Sequence, residues 1–131
     1  MAKTLATVFG IIFVLVGLLG FVPNPLVGPG ALFEADAWHN LVHLLFGVIL
    51  LVVAYTMAAK AGMWLKVLGV VYLILAVLGF FTVAENGELL GFVAVNSADH
   101  WLHLVLGIVL LVAAFWGKKG AAPMPPAPGS M

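Results

Sequence analysis

Four histidines are the residues of this chain whose type and spacing could support chemistry. His39 and His43 are four residues apart and His100 and His103 are three apart, so each pair occupies one face of a helix. All four lie near the start of an apolar segment, where a polar side chain is costly and therefore informative about function. If the two segments face each other, His39, His43, His100 and His103 provide enough imidazole nitrogens to bind zinc or copper.

Two glycines indicate a second kind of site. His43 and His103 are each followed four residues later by a glycine, Gly47 or Gly107, on the same helix face. Imidazole can ligate the central metal of a haem or a chlorophyll-type macrocycle, and the missing side chain leaves room for the flat ring. The same glycines can instead serve close packing of helices.

Two alternatives to ligation remain open for the histidines. The simpler one is a hydrogen bond between each imidazole and a carbonyl of a folded-back loop, and the other is a proton-sensing role. Asp36 and Ser97 are predicted to cap the helices that follow them. Asp99 is predicted either to face water or to orient a nearby histidine.

The elements that must position these side chains are membrane helices. Of the 131 residues, 65% are hydrophobic and 8% are charged, whereas a soluble domain typically has roughly 25% charged residues. Four apolar segments reach the length of about 20 residues that crosses the hydrocarbon core; they are residues 5–22, 37–57, 64–83 and 97–116. The absence of cysteine excludes disulfides, thiolate catalysis and iron-sulfur clusters.

The charged residues predict how the segments are oriented. All five lysines lie at the N-terminus, in the connection after the second segment, or after the fourth segment. All acidic residues lie in the other two connections or at the helix starts that follow them. The positive-inside rule therefore predicts cytoplasmic termini and two outer loops.

The sequence also contains an internal repeat. Residues 43–51 match residues 103–111 at an offset of 60, and residues 7–21 match residues 66–80 at an offset of 59. The predicted fold is therefore an all-α integral membrane four-helix bundle of two tandem helical hairpins, residues 4–59 and 63–117, related by a pseudo-twofold axis along the membrane normal. The inverted repeat of many carriers is absent.

Two further regions flank this transmembrane domain of residues 1–117. The outer loops, residues 23–36 and 84–96, are apolar for loops and are predicted to form either a cap over the helix ends or a surface for a partner. Residues 118–131 are rich in proline and are predicted to form an extended cytoplasmic tail.

Three motifs carry a family resemblance. Residues 21–25 read Phe-Val-Pro-Asn-Pro, residues 38–44 read Trp-His-Asn-Leu-Val-His-Leu, and residues 99–104 read Asp-His-Trp-Leu-His-Leu. These motifs resemble a bacterial and cyanobacterial membrane family filed as domain of unknown function 4383, over residues 4–115. The resemblance implies a four-helix membrane protein of bacterial origin, in an inner or internal membrane, and implies no catalytic residues.

These observations favour a non-catalytic membrane protein over an enzyme. The chain lacks a nucleophile-base pair and a phosphate-binding loop, and no segment carries a charge near its centre as a channel or carrier would. The expected role is an accessory or scaffold subunit that contacts the lipid bilayer and other membrane subunits, with no nucleic acid or soluble substrate. The alternative is a cofactor-binding bundle that uses the outer histidines for haem, a chlorophyll-type pigment, zinc or copper.

The predicted orientation can be tested because the chain has no cysteine. A membrane-impermeant maleimide should label a Glu88→Cys variant in intact cells, because residue 88 lies in an outer loop. It should label a Lys60→Cys variant only after the membrane is permeabilised. The opposite labelling pattern would show that the orientation is inverted.

Overall fold

The computed structural model describes residues 1–83, 85–119 and 128–129. Four long helices lie in this part of the chain: α1 (Ala2–Leu19), α2 (Ala37–Thr56), α3 (Ala61–Thr82) and α4 (Ser97–Lys119). A 3₁₀ turn at Ala58–Lys60 joins α2 to α3, and two short strands, β1 (Asn86–Leu89) and β2 (Val93–Asn96), lie between α3 and α4. Most of the predicted proline-rich tail lies outside the described residues.

All four helices are long and apolar enough to cross a membrane, which confirms that each predicted segment forms a helix of spanning length. Large apolar side chains are exposed along the outward faces of the helices, as lipid contact requires. Representative members of this exposed set are Ile11, Leu15, Val52, Ile74 and Val112.

Glycines bring the helices of each hairpin into close contact. A Cβ atom at Gly10 of α1 would lie 3.1 Å from the carbonyl oxygen of Gly47 in α2. A Cβ atom at Gly69 of α3 would likewise lie 3.1 Å from the carbonyl oxygen of Gly107 in α4. Membrane helices pack closely where small residues let their backbones approach, so these glycines fix the two hairpins.

Aromatic and aliphatic side chains fill the space where the hairpins meet. Phe13 of α1 stacks on Tyr72 of α3, with ring centroids 5.5 Å apart. Below this pair, toward the end that carries the α2–α3 connection, the core is purely apolar. Its buried side chains include Leu50, Val53, Leu65, Leu68 and Leu110.

The second outer loop contains structure that the all-α prediction lacks. Strands β1 and β2 pair antiparallel, with Leu89 opposite Val93, so residues 90–92 form the turn. Leu90 and Gly91 have φ angles of 56° and 83° there. A left-handed turn that contains glycine is a typical connection of a β-hairpin, and Gly91 was the sequence signal for it.

The first outer loop is organised by one side chain. The Asn24 amide nitrogen donates hydrogen bonds to the carbonyl oxygens of Leu19, Val22 and Val27 at 2.7–2.8 Å. The two loops are joined because the Asn96 amide nitrogen donates to the Leu32 carbonyl at 2.9 Å. Buried side chains from both loops cover the outer end of the bundle; they are Val27, Ala35, Leu89 and Val95.

Of the two predicted helix caps, one is confirmed and the other is wrong. The Asp36 carboxylate accepts a hydrogen bond from the backbone N–H of His39 at 2.9 Å, which confirms that cap. The prediction for Ser97 is wrong, because Asn96 caps α4 instead. The Asn96 side-chain oxygen accepts from the Asp99 N–H at 3.0 Å, and the Asp99 carboxylate accepts from the Asn96 N–H at 2.8 Å. This reciprocal pair is a capping box.

A single added methyl group tests the close packing. In a Gly47→Ala variant the new Cβ would lie 2.7 Å from Val14 and 2.8 Å from the Gly10 carbonyl, so α1 must shift. We expect a loss of about 1–3 kcal/mol of stability, as for other overpacked cores. Thermal unfolding in detergent measures this loss of stability.

Gly62→Ala is the matched control, because its nearest neighbour would be Ala2 at 3.9 Å. Replacing glycine by alanine within a helix stabilises both variants by roughly 1 kcal/mol through helix propensity. The difference between their free energies of unfolding therefore measures the cost of the close contact at Gly47. Equal unfolding temperatures for the two variants would contradict this packing.

Candidate metal centre

Three of the four histidines meet at the outer end of the bundle. His39 and His43 lie one turn apart on α2, and His103 reaches the same place from α4. One ring nitrogen from each residue lies within 4.8 Å of those of the other two. The three side chains are only 3–7% exposed. We call His39, His43 and His103 the histidine cluster.

The rings of the cluster are inclined to one another. The centroids of His39 and His43 are 4.7 Å apart, and those of His39 and His103 are 5.7 Å apart. The interplanar angles are 56° and 55°, so neither pair is stacked face to face. Inclined rings at these distances can direct their nitrogen atoms into one shared space.

A hydrogen bond to the β-hairpin sets the tautomer of His39. Its Nδ1 lies 2.7 Å from the carbonyl oxygen of Ala94 in β2. A carbonyl only accepts, so Nδ1 carries the proton and Nε2 presents a lone pair. Histidine ligands of metals are commonly oriented by this arrangement. The hydrogen-bond alternative from the sequence is therefore correct for His39, which also keeps a free ligand atom.

The other two members of the cluster lack such a partner. The Nδ1 atoms of His43 and His103 are buried and have no hydrogen bond within the described part of the chain. The threonines of the spans behave differently: Thr7, Thr56 and Thr82 each donate to the carbonyl four residues earlier in their own helix. A buried polar atom left unpaired costs about 1–3 kcal/mol. An additional partner would satisfy these nitrogens, and the same holds for both ring nitrogens of His100 and the side-chain oxygen of Asn40, which are also buried and unpaired within the described residues.

Two small cavities flank the histidine cluster beneath the outer loops. One has a volume of about 200 Å³ and is lined by all three histidines, Tyr72 and apolar residues of the β-hairpin. The other has a volume of about 270 Å³ and is lined by His39, His43 and Asp99 together with apolar residues of the first loop. Each cavity can admit an ion or a few water molecules next to the imidazoles.

Asp99 does not face water, in contrast to the expectation from sequence. Its side chain is 1% exposed, because the capping box holds it beneath the loops. No hydrogen bond joins it to a histidine in the part of the chain that the structure describes. Asp99 instead brings a carboxylate to the wall of the cavity that His39 and His43 also line.

A family model described as a domain of unknown function, DUF4383, matches residues 3–116. The chain belongs to the DUF4383 family. No curated protein and no solved structure matches it significantly.

In this DUF4383 member, His100 lies apart from the cluster. Its ring packs against Gly79, where a Cβ atom would overlap it, and against Phe80 at a centroid distance of 5.5 Å. Asn40 occupies the same kind of position against Gly20 in the first hairpin. Of the four histidines predicted as metal ligands, the structure thus brings three together and leaves His100 in a packing contact.

The glycines that follow His43 and His103 are occupied by neighbouring helices. The space at Gly47 is filled by Val14 and the Gly10 carbonyl, and the space at Gly107 by Leu73. Neither glycine leaves a face on which a flat macrocycle could lie. The geometry of this DUF4383 member therefore favours close packing at Gly47 and Gly107.

Two features of the site were not assigned from the sequence. The Ala94 carbonyl has no residue-type signal, because any residue offers the same oxygen. Tyr72 did have a signal: it stands where the first hairpin has Phe13, so the second hairpin adds a hydroxyl at that position.

Proposed function

We propose that this protein is a non-catalytic integral membrane protein that binds a zinc or copper ion through His39, His43 and His103. The observation that carries this proposal is the convergence of three buried ring nitrogens within 4.8 Å of one another. The cluster lies beneath the outer loops, so the ion would enter from the outer side of the membrane.

The type of donor favours a transition metal. Neutral imidazole suits zinc, copper, iron and nickel, whereas magnesium and calcium prefer oxygen ligands. Three histidines also form a known zinc ligand set in which a fourth position stays open. Zinc is therefore the first ion to test.

The unpaired nitrogens give a second argument for an ion. Inside a membrane span no bulk water can satisfy a buried polar group. His43 and His103 have buried nitrogens without partners, and His39 has a lone pair directed away from its one hydrogen bond. A single ion coordinated by all three residues would satisfy the cluster at once.

Zinc titration of the metal-free protein in detergent tests the proposal. We expect one ion per chain for the wild type. A His43→Ala or His103→Ala variant should bind zinc more than about 100-fold more weakly, because loss of a ligand exceeds the 10–100-fold effect of losing an outer-shell partner. Isothermal titration calorimetry measures both the number of zinc ions per chain and the affinity.

His100→Asn is the matched control, because asparagine occupies the corresponding position, residue 40, of the first hairpin. This variant should bind zinc as the wild type does. A wild-type protein that binds no zinc, or a His100→Asn variant as weak as His43→Ala, would contradict the proposed site.

The proposal includes an internal repeat. Gly10 meets Gly47 as Gly69 meets Gly107, and Phe13 contacts His43 as Tyr72 contacts His103, with centroid distances of 5.9 and 5.4 Å. These paired contacts support two tandem hairpins related by a pseudo-twofold axis along the membrane normal.

The orientation proposed from the charges has a structural argument too. The Lys3 ammonium lies over the Tyr55 ring, and the Lys66 ammonium lies over the Phe115 ring, at the end opposite the outer loops. Lysine side chains that lie along aromatic rings can keep their charge at an interface. These contacts support an interface at that end, and the excess of lysines there supports a cytoplasmic location by the positive-inside rule.

A second role is favoured by the outer loops. Three leucines of these loops, Leu26, Leu32 and Leu90, are 52–66% exposed at the outer end of the bundle. Exposed apolar groups outside the helices are typical of protein interaction sites. We therefore also propose that the protein is an accessory subunit that contacts another membrane protein through these loops.

Gentle detergent extraction tests the accessory role. The wild-type chain should migrate with a larger membrane protein, and a combined Leu32→Asn and Leu90→Asn variant should lose that association. Glu88→Gln, at another exposed position of the second loop, should keep it. Migration of the wild type as a free monomer would contradict the role.

A further inference from the structure

Tyr72 is a buried hydroxyl beside the histidine cluster that the proposed metal site does not use. Its side chain is 1% exposed, and its Oη has no hydrogen-bond partner within the described residues. The ring lies 5.4 Å from that of His103 and is held between Phe13 and Phe46, at centroid distances of 5.5 and 5.9 Å. Tyr72 also lines the cavity of about 200 Å³ that all three histidines line.

We propose that the bound metal keeps one coordination position open to a small exogenous anion, and that the Tyr72 hydroxyl donates a hydrogen bond to this anion. The inference rests on the proposed metal site. It assigns a ligand class to that site and a positioning role to Tyr72.

Charge is the first reason to expect an anion. The three imidazoles are neutral ligands, so a divalent ion would keep its full charge inside the membrane. A buried charge is strongly unfavourable unless an opposite charge accompanies it. Asp99 lines the neighbouring cavity and, in its ionised form, would supply one negative charge. An anion on the metal would balance the second.

The unpaired hydroxyl is the second reason. A buried hydroxyl without a partner is unfavourable, and a hydrogen bond to a charged acceptor is stronger than one to a neutral acceptor. An anion bound at the metal would give Tyr72 that acceptor. The cavity of about 200 Å³ has room for a small anion such as hydroxide or azide together with a few waters.

Phe13 shows that packing alone does not require the hydroxyl. It occupies the position of the first hairpin that matches Tyr72, and its ring contacts His43 much as Tyr72 contacts His103. The two rings differ in the hydroxyl group. Tyr72→Phe therefore removes the proposed hydrogen bond and leaves a side chain that the fold already accommodates at the equivalent position.

Cobalt provides the visible absorption that zinc lacks. The Co²⁺-loaded protein in detergent is titrated with azide, and the visible absorption bands of the bound Co²⁺ should change until the site is saturated with azide. In Tyr72→Phe, the Co²⁺ stoichiometry should stay the same while azide binds about ten-fold more weakly, as the loss of a hydrogen bond to a charged group predicts. Tyr55→Phe, at the exposed inner end of α2, should bind azide like the wild type.

The outcomes separate this inference from the metal site. Stoichiometric Co²⁺ binding with no response to azide, or equal azide affinity in Tyr72→Phe and the wild type, overturns the inference and leaves the metal site intact. Failure to bind Co²⁺ overturns both.

A measurement on the wild type alone covers the case in which Tyr72→Phe does not fold. The infrared stretching band of bound azide should shift on transfer to D₂O, because the tyrosine hydroxyl exchanges its proton. An unshifted band would overturn the hydrogen bond.

Discussion

Water is absent from the hydrocarbon core, so each polar side chain of the spans must find its partner within the protein. Thr7, Thr56 and Thr82 bond to carbonyls of their own helices. His39 bonds to Ala94 through one nitrogen, whereas His43 and His103 have buried nitrogens that no described residue satisfies. The ion proposed for the three imidazoles would give these nitrogens one common partner. The β-hairpin becomes part of the site because it orients His39 and closes the cavity beside the cluster.

The position of the imidazoles depends on how closely the helices pack. Gly47 lies one turn beyond His43, and there α1 contacts α2 through Val14 and the Gly10 carbonyl. The same stretch of α1 carries Phe13, whose ring contacts both His43 and Tyr72. A larger side chain at Gly47 would displace these rings together. The glycines would thus influence the proposed metal binding through packing, without being ligands.

Much of this architecture could be predicted from the sequence, because apolar length and lysine distribution are properties of single segments. Four helices long and apolar enough to span a membrane, the Asp36 cap and the family are confirmed. The β-hairpin was missed, since its main signal, Gly91, lies in a short apolar loop between two strong helical patterns. Helical spacing placed all four histidines near the outer end of the bundle, yet it could not show that His100 packs on Gly79. Such a contact depends on the rotation of α4 against α3, which spacing alone does not determine.

X-ray absorption at the zinc edge tests the proposed metal centre most directly. The protein is loaded with one equivalent of zinc in detergent and freed of excess ion. Binding by the histidine cluster predicts a first shell of nitrogen or oxygen atoms at about 2.0–2.1 Å with outer-shell scattering from three imidazoles. The imidazole scattering should fall in His43→Ala and persist in His100→Asn. A shell without imidazole scattering, or zinc that is lost with the excess, would contradict the metal centre.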